Sequence, residues 1–179
     1  MPGVDLLPVT RRDAAELIRG NLESRDLHHP WAAPFVDEAG FDAWFGRILT
    51  GPHLGLVARE TAKGQIAGVV NLIEIIYGPF YRGAFLGYYG MVGMGGRGLM
   101  TEAVRLAVRY TFAELGLHRL EANIQPGNRP SAALVKRLGF RLEGFSPRYL
   151  RIDGDWRDHE RWALLADEAA SCGPDPSPA

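Results

Sequence analysis

The apolar positions of the chain change period several times, and each change marks an element. Ala14, Leu17 and Ile18 recur at helical spacing behind Thr10 and Asp13, which predicts a capped first helix ending near Gly20 and Asn21. Residues 27–34 set two prolines beside Trp31, a pattern suited to a rigid loop wall rather than a helix interior. Phe41, Trp44, Phe45 and Ile48 restore the helical spacing until Gly51 and Pro52 stop it. Runs rich in β-branched and aromatic residues then occupy 54–59, 66–76 and 84–91, with a turn at 62–64, and predict an antiparallel meander.

The strongest periodicity lies between 99 and 115. Leu99, Ala103, Ala107, Thr111 and Leu115 form one row and Met100, Val104, Val108 and Phe112 a second, with Glu102, Arg105 and Arg109 outside. Gly116 supplies the expected left-handed stop, and a strand at 120–124 follows, so residues 88–124 read as strand, helix, strand with a parallel crossover. A short helix at 132–138 closed by Gly139 comes next, then strands at 141–145 and 161–165 flanking a turn at Asp153-Gly154-Asp155. The expected class is α+β or α/β around one mixed sheet.

Composition narrows the function classes. The 179 residues suit one domain, expected over 1–167, while the proline-broken segment 168–179 reads as a disordered end. Lysine and arginine total 20 against 21 acids, so a net charge of −1 offers no footprint for nucleic acid or a membrane surface. The single cysteine, Cys172, can build neither an internal disulfide nor a thiolate metal cage, which points to a cytoplasmic setting. No apolar run approaches the roughly 18 residues that span a bilayer, and Asp5 and Pro8 stand where a secretion signal would be apolar. The five histidines are scattered without the pair spacing of a zinc site, and Asp153, Asp155, Asp158 and Glu160 lack calcium-loop spacing, so no metal is expected.

The candidate chemistry sits in Gly93-Met94-Gly95-Gly96-Arg97-Gly98, between a strand and the most regular helix. Glycines there let backbone approach a ligand, and a helix start offers unpaired N–H groups with partial positive charge, so the segment reads as a phosphate cradle. A flexible connector is the alternative. Neither the P-loop nor the dinucleotide spacing is present, which removes nucleoside triphosphates and dinucleotides.

Taken with Leu99-Met100-Thr101-Glu102-Ala103, Asn128-Arg129-Pro130-Ser131 and Leu138-Gly139-Phe140-Arg141-Leu142-Glu143-Gly144, this loop resembles the GNAT superfamily of acetyl-coenzyme A dependent N-acetyltransferases. Leu27-His28-His29-Pro30-Trp31, Leu86-Gly87-Tyr88 and residues 149–159 further resemble its RimJ/RimL group, which acetylates the N-terminal residue of ribosomal proteins. The likeness covers about residues 5 to 167. It implies an α+β GNAT fold, with a mixed, mostly antiparallel sheet splayed between its fourth and fifth strands and flanked by helices. It implies acetyl-coenzyme A as cofactor, contacted by Tyr89, Gly90 and Met91 on the fourth strand, by Gly95, Gly96, Arg97, Gly98, Leu99, Met100 and Thr101 in the loop, and by Asn128 and Ser131. Ser131 matches the serine thought to protonate the departing thiolate in that group. By themselves, Asn128 and Ser131 also read as caps of the short helix.

The chain departs from the family pattern at Gly95, where a glutamine or arginine is usual, at Met100, where the residue is usually small, and at Val135, where many members carry an acidic tyrosine. No glutamate precedes Gly87-Tyr88, leaving Glu121 or Glu74, acting through water, as candidate bases. An α-amine with pKa near 7.7–8.0 is neutral at pH 7 about 300 times more often than a lysine near 10.4, so an N-terminal acceptor needs little base. The expected reaction is direct acetyl transfer to the α-amine of a protein or peptide, a ribosomal protein above all. The alternatives are a small-molecule amine, such as an antibiotic or polyamine, or a coenzyme A binding module without turnover.

Overall fold

The computed structural model describes residues 3–171, which form one mixed sheet with helices on both faces. The strands are β1 (Val4–Pro8), β2 (Leu54–Glu60), β3 (Ile66–Tyr77), β4 (Arg82–Gly90), β5 (Arg119–Ile124), β6 (Arg141–Ile152) and β7 (Asp155–Leu165), in the spatial order β1-β2-β3-β4-β5-β7-β6. The expected meander is present, and every neighbouring pair is antiparallel except β4 and β5. β1 has no strong sequence signal: it has five residues and ends on a proline, which the sheet tolerates because the strand lies at an edge.

Alternation along the strands feeds two cores. Leu56, Val70, Leu72, Ala84, Leu86, Leu120 and Ala122 pack under α4 (Leu99–Ala113), where Ala103, Val104 and Ala107 are fully buried. On the opposite face Val57 and Val69 meet Leu17 of α1 (Ala14–Glu23) and Phe41 and Phe45 of α3 (Glu38–Thr50). Each such side chain, removed from water, contributes about 1.5–3 kcal/mol.

Several boundaries differ from the sequence reading. α1 runs on through Gly20 and Asn21 because Gly20 lies against Met91 and the Asn21 amide donates to the Phe35 carbonyl at 2.9 Å. A one-turn α2 (Arg25–His28) precedes the proline-rich loop. β6 and β7 form a hairpin twice interrupted in register, much longer than the two short strands expected, with its tip at Asp153 and Gly154, both at positive φ. The expected disordered end at 168 is also corrected: α6 spans Ala166–Ser171, with Glu168 accepting from the Leu165 N–H and pairing with Arg141. Residues 172–179, including Cys172, lie outside the described residues. Among the described residues no helix is long and apolar enough to cross a membrane.

The opening that positions a ligand comes from the parallel pair. β4 and β5 are in register only at Gly83 with Arg119, Ala84 with Leu120 and Phe85 with Glu121, yet β4 continues to Gly90 and β5 to Ile124. Beyond Phe85 the two strands part and leave a slot.

Candidate active site

At the mouth of the slot the glycine loop leads into α4. Gly93, Gly96 and Gly98 have φ of 78°, 72° and 75°, and Gly98 caps α4 in the left-handed conformation. The first helical bond runs from the Glu102 N–H to the Gly98 carbonyl, so the preceding turn presents the N–H groups of Leu99, Met100 and Thr101 without intrahelical partners. A Cβ built on Gly95 or Gly96 meets nothing within 4 Å. Backbone donors, positive helix end and open approach together suit a pyrophosphate.

The side chains there do less than the sequence suggested. Leu99 is buried, and Met100 turns into the sheet, where its sulfur would lie 2.3 Å from a Cβ at Gly68. Leu99 can meet a ligand only through backbone. Arg97, the one cation among the expected contacts, is paired with the buried carboxylate of Glu60. The Thr101 hydroxyl accepts from Arg137 of α5 (Arg129–Arg137) at 3.2 Å.

At the end of β4 the three expected contact residues separate. The Met91 N–H donates to the Ala67 carbonyl at 2.9 Å, and Tyr89 is in register with Val69, so by strand alternation the peptide groups of Tyr89 and Met91 face β3. Only those of Tyr88 and Gly90 face the slot, so among the three residues expected to contact the cofactor here Gly90 alone turns its backbone groups toward it. The Tyr89 ring is turned onto the α1 and α2 side, where burial drives its hydroxyl pKa far up against the opposing hydrogen bond of Asn21. Tyr88 reaches toward α5 and donates its hydroxyl to the Ser131 carbonyl at 3.0 Å; burial pushes its pKa to about 12 despite that bond.

α5 begins at Arg129, three residues before the expected start, because Asn128 caps it and Pro130 is tolerated in the first turn. The Asn128 side chain accepts the Ser131 N–H at 3.3 Å. Asn128 is therefore the cap, and the Ser131 side chain is not part of it. Val135 is fully buried in the core, so apolar packing fills the place of the usual tyrosine. Glu121 stands where β4 and β5 part, but its carboxylate accepts from Arg119 at 2.7 Å and from the Tyr81 hydroxyl at 3.4 Å. Glu74 sits at a β3 bulge, 3.8 Å from His53.

Residues 27–34 read as a rigid loop wall and residues 27–31 as a family motif in the sequence, which gave no side chain of this segment a contact with β4. The Ser24 hydroxyl accepts the Val92 N–H at 2.9 Å, and His28, the last residue of α2, lies 2.8 Å from the Gly90 carbonyl. Gln125, just beyond β5, donates to the carbonyls of Pro30 and Trp31 at 3.1 Å each. Residues 24–31 thus touch both strands of the slot. Scattered histidines and a polar helix face gave no signal for this, since the contacts join positions more than 60 residues apart.

Comparison with known proteins agrees with this geometry. The description "Acetyltransferase (GNAT) domain" matches residues 4–141. The chain is 37% identical over 168 residues to the [ribosomal protein uS5]-alanine N-acetyltransferase of Escherichia coli, covering 88% of this chain and 84% of that one. It is also 31% identical over 102 residues to the spermidine N(1)-acetyltransferase of the same organism, covering 57% and 54%. Among solved structures it resembles Mycobacterium smegmatis RimJ in complex with CoA-disulfide, with a TM-score of 0.81, 29% identity and coverage of 95% of this chain and 89% of that one.

Proposed function

The chain belongs to the GNAT acetyltransferase family and is an acetyl-coenzyme A dependent N-acetyltransferase, and from that premise we propose that its acceptor is the α-amine of a protein N-terminus, a ribosomal protein in particular. The observation that carries this reading is the likeness to the uS5-alanine enzyme along nearly the whole chain, against little more than half for the spermidine enzyme. The geometry supports it as well. Glu121, the carboxylate at the divergence of the strands, is held by the Arg119 guanidinium, which also holds Glu143, so it is not an unpaired carboxylate waiting for a polycation. A cytosolic location goes with this reading, since one cysteine cannot form an internal disulfide.

In this reading the pyrophosphate rests on the α4 N-terminus with Gly95, Gly96 and Gly98, and the pantetheine arm enters the slot between β4 and β5. The neutral amine attacks the thioester carbonyl carbon, the oxyanion takes the N–H of Gly90, and collapse breaks the C–S bond. Ser131 gives its hydroxyl proton to the leaving sulfur, and the proton that the new amide nitrogen loses returns through water to the Ser131 oxygen. No acyl-enzyme forms.

Thiol release from acetyl-coenzyme A tests the acceptor. A peptide with a free N-terminal alanine is expected to turn over fastest, with a rate rising with pH near the α-amine pKa of about 7.7–8.0. An N-terminally blocked peptide with a free lysine should be poor. Faster turnover of spermidine than of every peptide would overturn the acceptor and leave the acetyltransferase standing. Ser131→Ala should lower kcat by about 10²-fold or more with little change in acetyl-coenzyme A affinity.

A further inference from the structure

Where β4 leaves β5, the backbone groups of β4 that face the slot lose the neighbour that a continuous sheet would provide. The Gly90 carbonyl is one of them, and the structure gives it a substitute: His28 Nε2, at 2.8 Å. A carbonyl oxygen can only accept, so Nε2 carries the hydrogen and Nδ1 holds a lone pair. Nδ1 is buried and has no partner among the described residues. The imidazole is 5% exposed and packs edge-on against Tyr89, with ring centroids 5.0 Å apart at 72°. Burial holds its pKa below the ordinary value against the Gly90 bond, so the ring is neutral near pH 7. An apolar side chain would fill this space without burying an orphan nitrogen, and what the histidine adds is the donor to Gly90.

We propose that His28 is a positioning residue for acetyl transfer: by holding the Gly90 carbonyl in the place of a missing strand, it fixes the residue whose N–H receives the thioester oxygen. His28 and Ala67 hold the two ends of the 90–91 peptide, and the pairing of Tyr89 with Val69 holds the 89–90 peptide that carries the Gly90 N–H, so Gly90 is fixed on both sides with its N–H directed into the slot. Without that bond the 90–91 peptide keeps only the Met91 bond to Ala67, and a glycine at a parted strand edge can then shift its dihedral angles and carry its N–H off line. The oxyanion is stabilised only by donors already in place, so the loss falls on turnover rather than on cofactor binding. This rests on the reading of Gly90 as the thioester donor.

Two polar variants test it. Glutamine can carry its amide N–H out to about the place of Nε2, whereas asparagine is one bond too short. His28→Gln is expected to keep kcat within about 3-fold, and His28→Asn to lose about 10²-fold, the scale of one oxyanion donor. Coenzyme A affinity by calorimetry and the thermal midpoint should differ little between the two. Equal kcat in both variants, high or low, overturns the proposal: equal and high means that the donor is dispensable, equal and low that the imidazole itself is required. Kinetics are read with whichever amine the unsubstituted protein uses best, and again as thiol release to water without an acceptor. A wrong acceptor therefore changes the amine chosen and leaves the order of the variants untouched.

Discussion

Two glycines of the same loop separate backbone strain from ligand approach. Gly98 holds φ at 75°, and an L side chain there costs about 1–2 kcal/mol, so Gly98→Ala should lower the thermal midpoint by about 2–8 °C. Gly95 has no such conformation and open space where a Cβ would point, so Gly95→Val should leave the midpoint unchanged. It should still raise the KM for acetyl-coenzyme A several-fold if phosphate oxygens come against the Gly95 backbone. An unchanged KM would show that they do not. The glycine spacing was readable in the sequence because positive φ is a local demand. The pairing of Arg97 with Glu60 was not, because Glu60 arrives from β2.

Among the elements, α4 was legible as a helix from its two apolar rows, and all six of its buried residues lie on them. α5 was legible only as a helix. Its start was decided by Asn128, whose side chain accepts the Ser131 N–H and so places Ser131 inside the first turn rather than at the cap. Asn128→Ala should therefore cost about 1 kcal/mol of stability, and Ser131→Ala should cost almost none, as chemical denaturation of both variants will show. β1 was not legible, since five residues ending on proline carry too little alternation to separate a strand from a loop.

On the scale of the molecule, ligand and proton should move stability in ways set by the fold. A cofactor that binds only the folded chain adds about 2.7 kcal/mol at a hundredfold excess over Kd, so coenzyme A should raise the midpoint by about 5–10 °C. Burial lowers the pKa of His28 and of His159, against the Gly90 bond in one case and against the Arg157 carbonyl and Asp158 in the other. The unfolded chain takes protons on these rings near pH 6.5, which the folded chain still refuses, so their contribution is present above about 6.5 and is lost as pH falls through the lower folded values. Denaturant midpoints measured from pH 7.5 to pH 5 should fall accordingly, and a flat profile would show that neither ring is held neutral.

The sequence by itself determined the alternation of elements, the parallel crossover around α4 and the glycine turn that starts it, because periodicity, β-propensity and positive φ are properties of neighbouring residues. The likeness to a known family added the acetyl donor. Only the tertiary structure decided which β4 peptide groups face the slot, that Glu121 and Arg97 are spoken for, and that His28 stands beside Gly90. Those facts depend on register, on where two strands part, and on contacts such as Arg97 with Glu60 and His28 with Gly90 that join distant parts of the chain; only the Arg119–Glu121 pair is local, two residues apart on one strand.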